Sequence, residues 1–384
     1  MSAVQDANLC PRSIWSTARL ADVAQIVNGG TPSSKIAKYW SGDIQWLTPK
    51  DMGQMRTREI SQTPRTISSS GLQHSSARLV PAKSVILSTR APIGHLAINK
   101  VPMAFNQGCR ALVPSPDLDH IFLYYFFAAS RDLLNDLGTG TTFKELSATS
   151  LKNLEILLPP LEEQKRIVAI LDQAFAALDR ARAHTEANLA DAQALFATNL
   201  SDRFQTLEGD GESIPLDELC VTVAPRHKVK RQDYLPDGAF PVVSQDASLV
   251  SGYCNDEETL LDIEPPVVVF GDHTRCLKYI DFRFSAGADG TKILQPRPGI
   301  DAGYLYFGLR SKPVPTVGYA RHFRFIRERS LPNISLADQR KLASDLFALE
   351  DHCEDLQARY QAQLTDLATL RQSILQKAFA GELT

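Results

Sequence analysis

The six cysteines of this 384-residue chain (Cys10, Cys109, Cys220, Cys254, Cys276, Cys353) are scattered with no Cys-x-x-Cys pair. That spacing argues against a disulfide framework or a zinc knuckle and fits a reducing, cytoplasmic setting. No apolar run approaches the roughly 18 residues needed to span a bilayer, and nothing at the N-terminus resembles a signal peptide, so no membrane partner is expected. A net charge of −3 argues against gripping nucleic acid by bulk charge. Catalytic machinery is missing too. Gly138 to Lys144 lacks the Gly-Lys-Ser/Thr ending of a P-loop, and Glu264-Pro265-Pro266-Val267 does not match the Asp/Asn-Pro-Pro-Tyr/Phe signature of an amino-methyltransferase. No catalytic residue, bound metal or cofactor is therefore assigned.

Two long amphipathic segments, Leu161 to Phe204 and Leu336 to Phe379, dominate what is present. In the second, Leu346, Leu349, Cys353, Leu356, Tyr360, Gln363, Leu367, Leu370 and Ile374 recur at alternating steps of three and four, the seam of a coiled coil. Ile167, Leu171, Ala174, Leu178, Ala181, Thr185, Asn188, Ala192, Leu195 and Asn199 hold the same phase in the first. Setting Gln164 against Gln339 gives an offset of 175 residues, or 25 heptads, so the register carries over without a slip. Each helix is about 43 residues, roughly 65 Å. Pro159-Pro160 with Glu162 and Glu163 marks the first start, and Ser335 with Asp338 reads as a capping box. Gly209, Gly211 and Gly381 mark the stops. Glu163-Gln164-Lys165, which could pass as the tail of a nuclease motif, reads as solvated charge on a first helical turn.

The chain is thus a repeat: a first globule over 1–158, a long helix over 159–208, a second globule over 209–333 and a second helix over 334–384. Short β-prone runs punctuated by turns make each globule mixed α/β, and the fold class is α+β. Ile121 to Asp136 reads as one helix, Leu216 to Leu219 as the counterpart of Leu20 to Val23, and Val267 to Phe270 as a buried strand. Charge is unevenly spread. Residues 1–157 hold 16 basic against 11 acidic side chains (+5), residues 207–333 hold 15 against 18 (−3), and the helical parts 10 against 15 (−5). Any DNA contact therefore belongs to the globules, with the helices as spacer.

Candidate contacts in the first globule are Lys35, Lys38, Lys50, Arg56, Arg58, Arg65 and Arg90, with Thr141 and Lys144 in the polar loop that opens at Gly138. In the second they are the basic run Arg226, Lys228, Lys230, then Gln245, then His273, Thr274 and Arg275 after the buried strand, and Arg321, His322 and Arg324 among aromatics. Solvated faces explain such runs equally well, and Asp272 to Arg275 fits a structural turn as readily as a DNA contact.

The strings LPPLEEQKRIVAILD from Leu158 and SILQKAFAGEL from Ser373, on two in-register helices, resemble the specificity subunit of type I restriction-modification systems. GDIQWLTPKDM (Gly42 to Met52), VILSTRAPIG (Val85 to Gly94), FPVVSQ (Phe240 to Gln245), GDHTR (Gly271 to Arg275), GADGTKIL (Gly287 to Leu294) and GYARHF (Gly318 to Phe323) follow in order. One departure is Leu331 to Gln339, which stands where the family has Pro-Pro-Leu-x-Glu-Gln. The resemblance implies two target-recognition domains, each reading half of a split site on double-stranded DNA. Their helices would pair as an antiparallel coiled coil with pseudo-twofold symmetry, through Leu171, Leu178, Leu195, Leu346, Leu349, Leu356, Leu367, Leu370 and Ile374. It also implies recruitment of two methyltransferase subunits and of restriction/translocase subunits, with S-adenosylmethionine, ATP and Mg²⁺ held by those partners. Because the globules differ, the half-sites should differ. A coiled-coil scaffold that binds only proteins, or the specificity subunit of a related defence system, are the competing readings.

Overall fold

The computed structural model describes residues 15–140, 144–209, 211–287, 290–315 and 321–383, which leaves Thr141 outside the described residues. They fall into two compact units, Met1–Ala183 with Leu364–Thr384, and His184–Gln363. Each unit takes a segment of both long helices, which run Leu161–Gly209 and Leu336–Ala380. No helix among the described residues is long and apolar enough to cross a membrane.

In the first unit the all-buried strand Val85–Ser88 lies between Cys109–Pro114 and Leu96–Asn99 in a five-stranded sheet. Ala24–Asn28 and Glu59–Ile60 form its edges. A second sheet of three strands, with Trp40–Leu47 in the middle, packs its own apolar cluster around Trp46. The second unit repeats this with a four-stranded sheet in place of the five-stranded one. Val267–Gly271, buried along its length, sits between Thr291–Pro296 and Leu277–Ile280, with Phe240–Val243 central in a three-stranded sheet. Registers match as well: Val85 faces Leu112 where Val268 faces Leu294, and Leu47 runs beside Phe105 where Val243 runs beside Ala286. The short helices Leu20–Val23 and Leu216–Leu219 are counterparts, as the sequence suggests. The helix expected over Ile121 to Asp136 is instead two, His120–Ala129 and Arg131–Asp136, which meet at Ser130.

Within each unit the two helical segments run antiparallel. In the first, Arg371 reaches Asp179 at 2.7 Å and lies 4.2 Å over the Phe175 ring. In the second, Arg203 meets Asp345 at 3.5 Å. The seam departs from the heptad expectation at Asn188, Leu195, Gln363 and Leu370, which are exposed. Leu195 and Leu370, equivalent by the 175-residue offset, are 44% and 48% exposed. In their place Leu200 and Phe204 enter the second unit's core, and Leu375 and Ala378 the first's. There the helix packs against a globular core as well as a partner helix, so the apolar stripe follows a 3.6-residue period and drifts off the 3.5-residue seam. The second helix ends at Gly381 with φ 73°, a left-handed stop that only glycine adopts without strain.

Glu163-Gln164-Lys165 is not the solvated turn expected. Gln164 is fully buried, and both its amide protons and its carbonyl oxygen are hydrogen-bonded. Its Oε1 accepts from the Asp119 amide at 2.8 Å, and its Nε2 donates to the Asp117 and Pro159 carbonyls at 2.8 and 2.9 Å. Asp119 caps the helix His120–Ala129, so one side chain ties the long helix to the globule before it. Gln339 repeats the bond set: the Asp301 amide at 2.9 Å and the Ile334 and Gly299 carbonyls at 3.0 and 3.5 Å, with Asp301 capping Ala302–Arg310.

A second tie joins each globule to a helix through charge. Asp172 accepts both guanidinium nitrogens of Arg58 and the Tyr125 hydroxyl at 2.5 Å. Arg58, a candidate contact by sequence, is therefore taken up by the joint. Burial alone would raise the Asp172 carboxyl, but the hydrogen bonds from Arg58 and Tyr125 and the guanidinium charge outweigh it and hold the group below its ordinary range. The stabilisation is complete above the unfolded carboxylate value near about 3.9 and is lost as pH falls through the lower folded value. Asp172→Asn is expected to cost about 1 kcal/mol at neutral pH, a charged hydrogen bond discounted for partial exposure, and to lower the melting midpoint by about 2–4 °C. It should also flatten the acid limb of stability in a pH series of melts.

Candidate nucleic-acid interface

Equivalent loops converge in both units at the turn of the central hairpin. In the first, the loop between Val85–Ser88 and Leu96–Asn99 carries Arg90, and Thr89 fixes it to its surroundings. The Thr89 amide donates to Gly108 O at 2.8 Å, and its carbonyl accepts the Leu146 amide at 2.8 Å. Arg90 pairs with Glu145 at 3.1 Å, and Arg110 lies 3.9 Å from the same carboxylate. The exposed Lys50 follows the strand Trp40–Leu47 on a helix whose Thr48–Asp51 capping box is complete. A Cβ built on Gly108 would lie 3.6 Å from Pro49 and 3.7 Å from Arg90, so the strand end and the hairpin turn meet there. Lys144 is exposed, with its ammonium 3.4 Å from the Asn135 carbonyl.

In the second unit the same positions hold Gln245, the turn Asp272–Cys276 and the segment from Arg321. Asp272 is 3% exposed and works as a hub. Its amide donates to Gly290 O at 2.7 Å, its carbonyl accepts the His322 amide at 2.9 Å, and its Oδ1 accepts the Phe323 amide at 2.8 Å. The Gln245 Oε1 accepts the His273 amide at 3.2 Å, and the Thr274 hydroxyl donates to the Gln245 carbonyl. A Cβ on Gly290, where φ is +94°, would fall 2.7 Å from the Gln245 carboxamide, so only glycine fits. Arg275 is held at φ 64°, a conformation rare for a side-chain-bearing residue, and stays exposed. Arg321 and Arg324 are exposed as well, the latter stacked 4.7 Å over Phe325.

Two expectations change. His322 is 2% exposed and its Nδ1 lies 3.0 Å from the Asp272 carbonyl, so it is a buried support of the hub where an exposed contact is expected from the sequence. Several candidates lie away from the convergence. Lys35 and Lys38 sit in the turn and short 3-10 helix leading into Trp40, Arg56 stands beside the Arg58 joint, and Arg226, Lys228 and Lys230 occupy the loop before residues 231–233. Among the described residues, no three His, Cys, Asp or Glu side chains gather as metal ligands would.

Sequence reasoning missed Lys278. It sits on a strand, 5% exposed, with its ammonium donating to the Ser244 and Ser248 carbonyls and lying 3.4 Å from Asp246. Burial lowers its pKa, against the pull of Asp246. The three contacts close the loop that starts at Gln245. A lone lysine in an alternating strand carries no such signal, because its partners lie some 30 residues away. Lys278→Met removes the donor and leaves two carbonyls unsatisfied at a cost of about 1–3 kcal/mol. Hydrogen exchange of residues 244–251 is expected to speed up while residues 85–99 exchange unchanged.

Residues 13–187 match the type I restriction modification DNA specificity domain. The chain is 38% identical over 159 residues to the type I restriction enzyme MjaIX specificity subunit of Methanocaldococcus jannaschii, covering 41% of this chain and 37% of that protein. It is 31% identical over 166 residues to the EcoR124I/EcoR124II specificity subunit of Escherichia coli, covering 41% and 40%. The matched stretch thus spans about two fifths of these relatives. The fold is similar to a chain of a type I R-M system solved for its complex assembly and conformational transition, with TM-score 0.79, 18% identity and coverage of 98% and 100%. It is also similar to the HsdS subunit of Thermoanaerobacter tengcongensis, with TM-score 0.63, 18% identity and coverage of 99% of each chain. The first half of the chain thus matches a type I restriction modification DNA specificity domain, and the repeated unit with its paired helices has the fold of solved type I R-M chains along its whole length.

Proposed function

We propose that this chain is the non-catalytic DNA-reading subunit of a type I restriction-modification complex, with each unit reading one half of an asymmetric split site. The observation that carries the reading is the loop convergence built twice on one chain with different side chains. One unit offers Lys50, Arg90 and Lys144, the other Gln245, His273, Thr274, Arg275, Arg321 and Arg324. Equivalent scaffolds with unlike tips suit two unlike half-sites. Coupling two readers is physically needed. Each wrong base pair costs roughly 1–3 kcal/mol, too little for one small domain to outcompete the excess of genomic sites.

Charge sets the division of labour. A chain at −3 has little counterion release to draw on, so its own binding is weak and salt-sensitive and becomes firm when methyltransferase subunits add basic surface. S-adenosylmethionine, ATP and Mg²⁺ belong to the methyltransferase and restriction subunits in this reading. Leu195 and Leu370, exposed on the long-helix segments of the two units at repeat-equivalent positions, support recruitment of two copies of one partner.

The test is a genome-wide map of methylated adenines in a host expressing this chain with the methyltransferase subunit. One asymmetric split motif is expected, present only with this chain. Alanine at both His273 and Arg275 should alter one half of that motif and leave the other intact, while Glu at Leu195 and Leu370 together should abolish methylation at every site. A methylome that ignores the chain would replace this reading with a protein-binding scaffold.

A further inference from the structure

Arg65 lies on an aromatic platform that the loop convergence does not use. Its guanidinium carbon sits 3.9 Å from the centroid of the Trp40 ring and 5.1 Å from that of Trp46. The two indoles pack edge to face at 86° with centroids 5.1 Å apart. Both are pinned to the same turn: Trp46 Nε1 donates to Gly30 O at 2.9 Å, and Trp40 Nε1 donates to Ser33 O at 3.1 Å. A bulge holds them in place. Trp40 and Ile44 both face Ile67, so the residues between are looped out, with Ser41 at φ 58°. Such a bulge re-aims the side chains of its strand.

The Arg65 backbone is equally fixed. Its carbonyl accepts the Trp46 amide at 3.2 Å and the Thr63 hydroxyl at 2.7 Å. Yet its side chain is exposed, and no carboxylate among the described residues pairs with it. This contrasts with Arg58 and Arg90, whose guanidiniums are neutralised by Asp172 and Glu145. Hydrogen bonds run from the platform towards Arg90. Gly30 donates to the Phe105 carbonyl at 2.9 Å, and Asn106 bridges the Thr31 hydroxyl, at 3.0 Å, to the Gly108 amide, at 2.8 Å.

A phosphate contact needs charge but little orientation, and a free lysine supplies it. A base-edge contact needs a planar fork held at a set angle, because guanine offers two acceptors side by side in the major groove. Stacking on Trp40 provides that orientation before DNA arrives, so less side-chain freedom is lost on binding. We propose that Arg65 is a specificity-determining residue of the first unit, reading the major-groove edge of one guanine. The inference rests on the DNA-reading function above. It also gives one physical source for unlike half-sites, since the chain's tryptophans are Trp15, Trp40 and Trp46 and the second unit has none.

The experiment is the methylated-adenine map of the chain with its methyltransferase partner, run for wild type, Arg65→Lys and Arg65→Met. Lysine keeps the charge without the fork, and methionine keeps an apolar stem against Trp40 without any donor. Both variants are expected to lower discrimination at one base pair of a single half-site by about tenfold or more, while the other half-site stays unchanged as an internal control of folding. A lysine variant like wild type, with the methionine variant weaker uniformly across sequences, would mean a phosphate contact and overturn the inference. An unchanged motif in both variants would overturn it too, with the DNA-reading function left standing. No motif from wild type would remove both.

Discussion

One buried carboxamide per unit fixes the geometry from which the rest follows. Gln164 and Gln339 sit 0% and 2% exposed at the start of the two long helices. Each takes the amide of an aspartate that itself caps a helix of the globule, and each gives its own protons to carbonyls on either side. A buried carboxamide with both protons and its oxygen partnered costs little; with one partner missing it costs about 1–3 kcal/mol. The globule and the helix that follows it therefore cannot shift independently without leaving polar groups unsatisfied. Reading a base pair to within hydrogen-bond tolerance requires such a fixed base.

Around that fixed point the two units reach the same result with different residues. On the first long helix, Asp172 meets Arg58 and the Tyr125 hydroxyl while Phe175 packs beneath Arg371. At the equivalent positions of the second, Phe347 packs on Phe307 at 4.6 Å and Glu350 takes Arg310 at 2.5 Å. Aromatic and carboxylate have changed places, and in both units a tyrosine hydroxyl shares the arginine or its carboxylate. The joint is a chemical requirement that more than one residue pair satisfies. The loops beyond it are free to diverge, so one scaffold carries two unlike sets of loop tips.

That split explains what the sequence makes legible. The helices are readable because a 175-residue offset preserves the phase of an apolar seam, and the buried strands because Val85 to Leu87 and Val267 to Phe270 are unbroken apolar runs. Gln164 is aligned with Gln339 by the same offset, yet its burial is invisible, since a glutamine beside Glu163 and Lys165 reads as a solvated turn. Leu195 and Leu370 fit the heptad perfectly and still face outward, because packing against a globular core pulls the stripe to a longer period. Site residues are the least legible. Asp272, Lys278 and Arg65 owe their roles to partners between 18 and 51 residues away in sequence, and only the fold brings those together.

The central claim is that each unit is closed by its own glutamine. Hydrogen–deuterium exchange across the whole chain, compared among wild type, Gln164→Ala and Gln339→Ala, tests it most directly. The account expects Gln164→Ala to speed exchange at residues 119–123 and 164–168 with residues 301–305 unchanged, and Gln339→Ala to do the reverse. Unchanged rates in both variants, or the same changes in both units from either substitution, would contradict it.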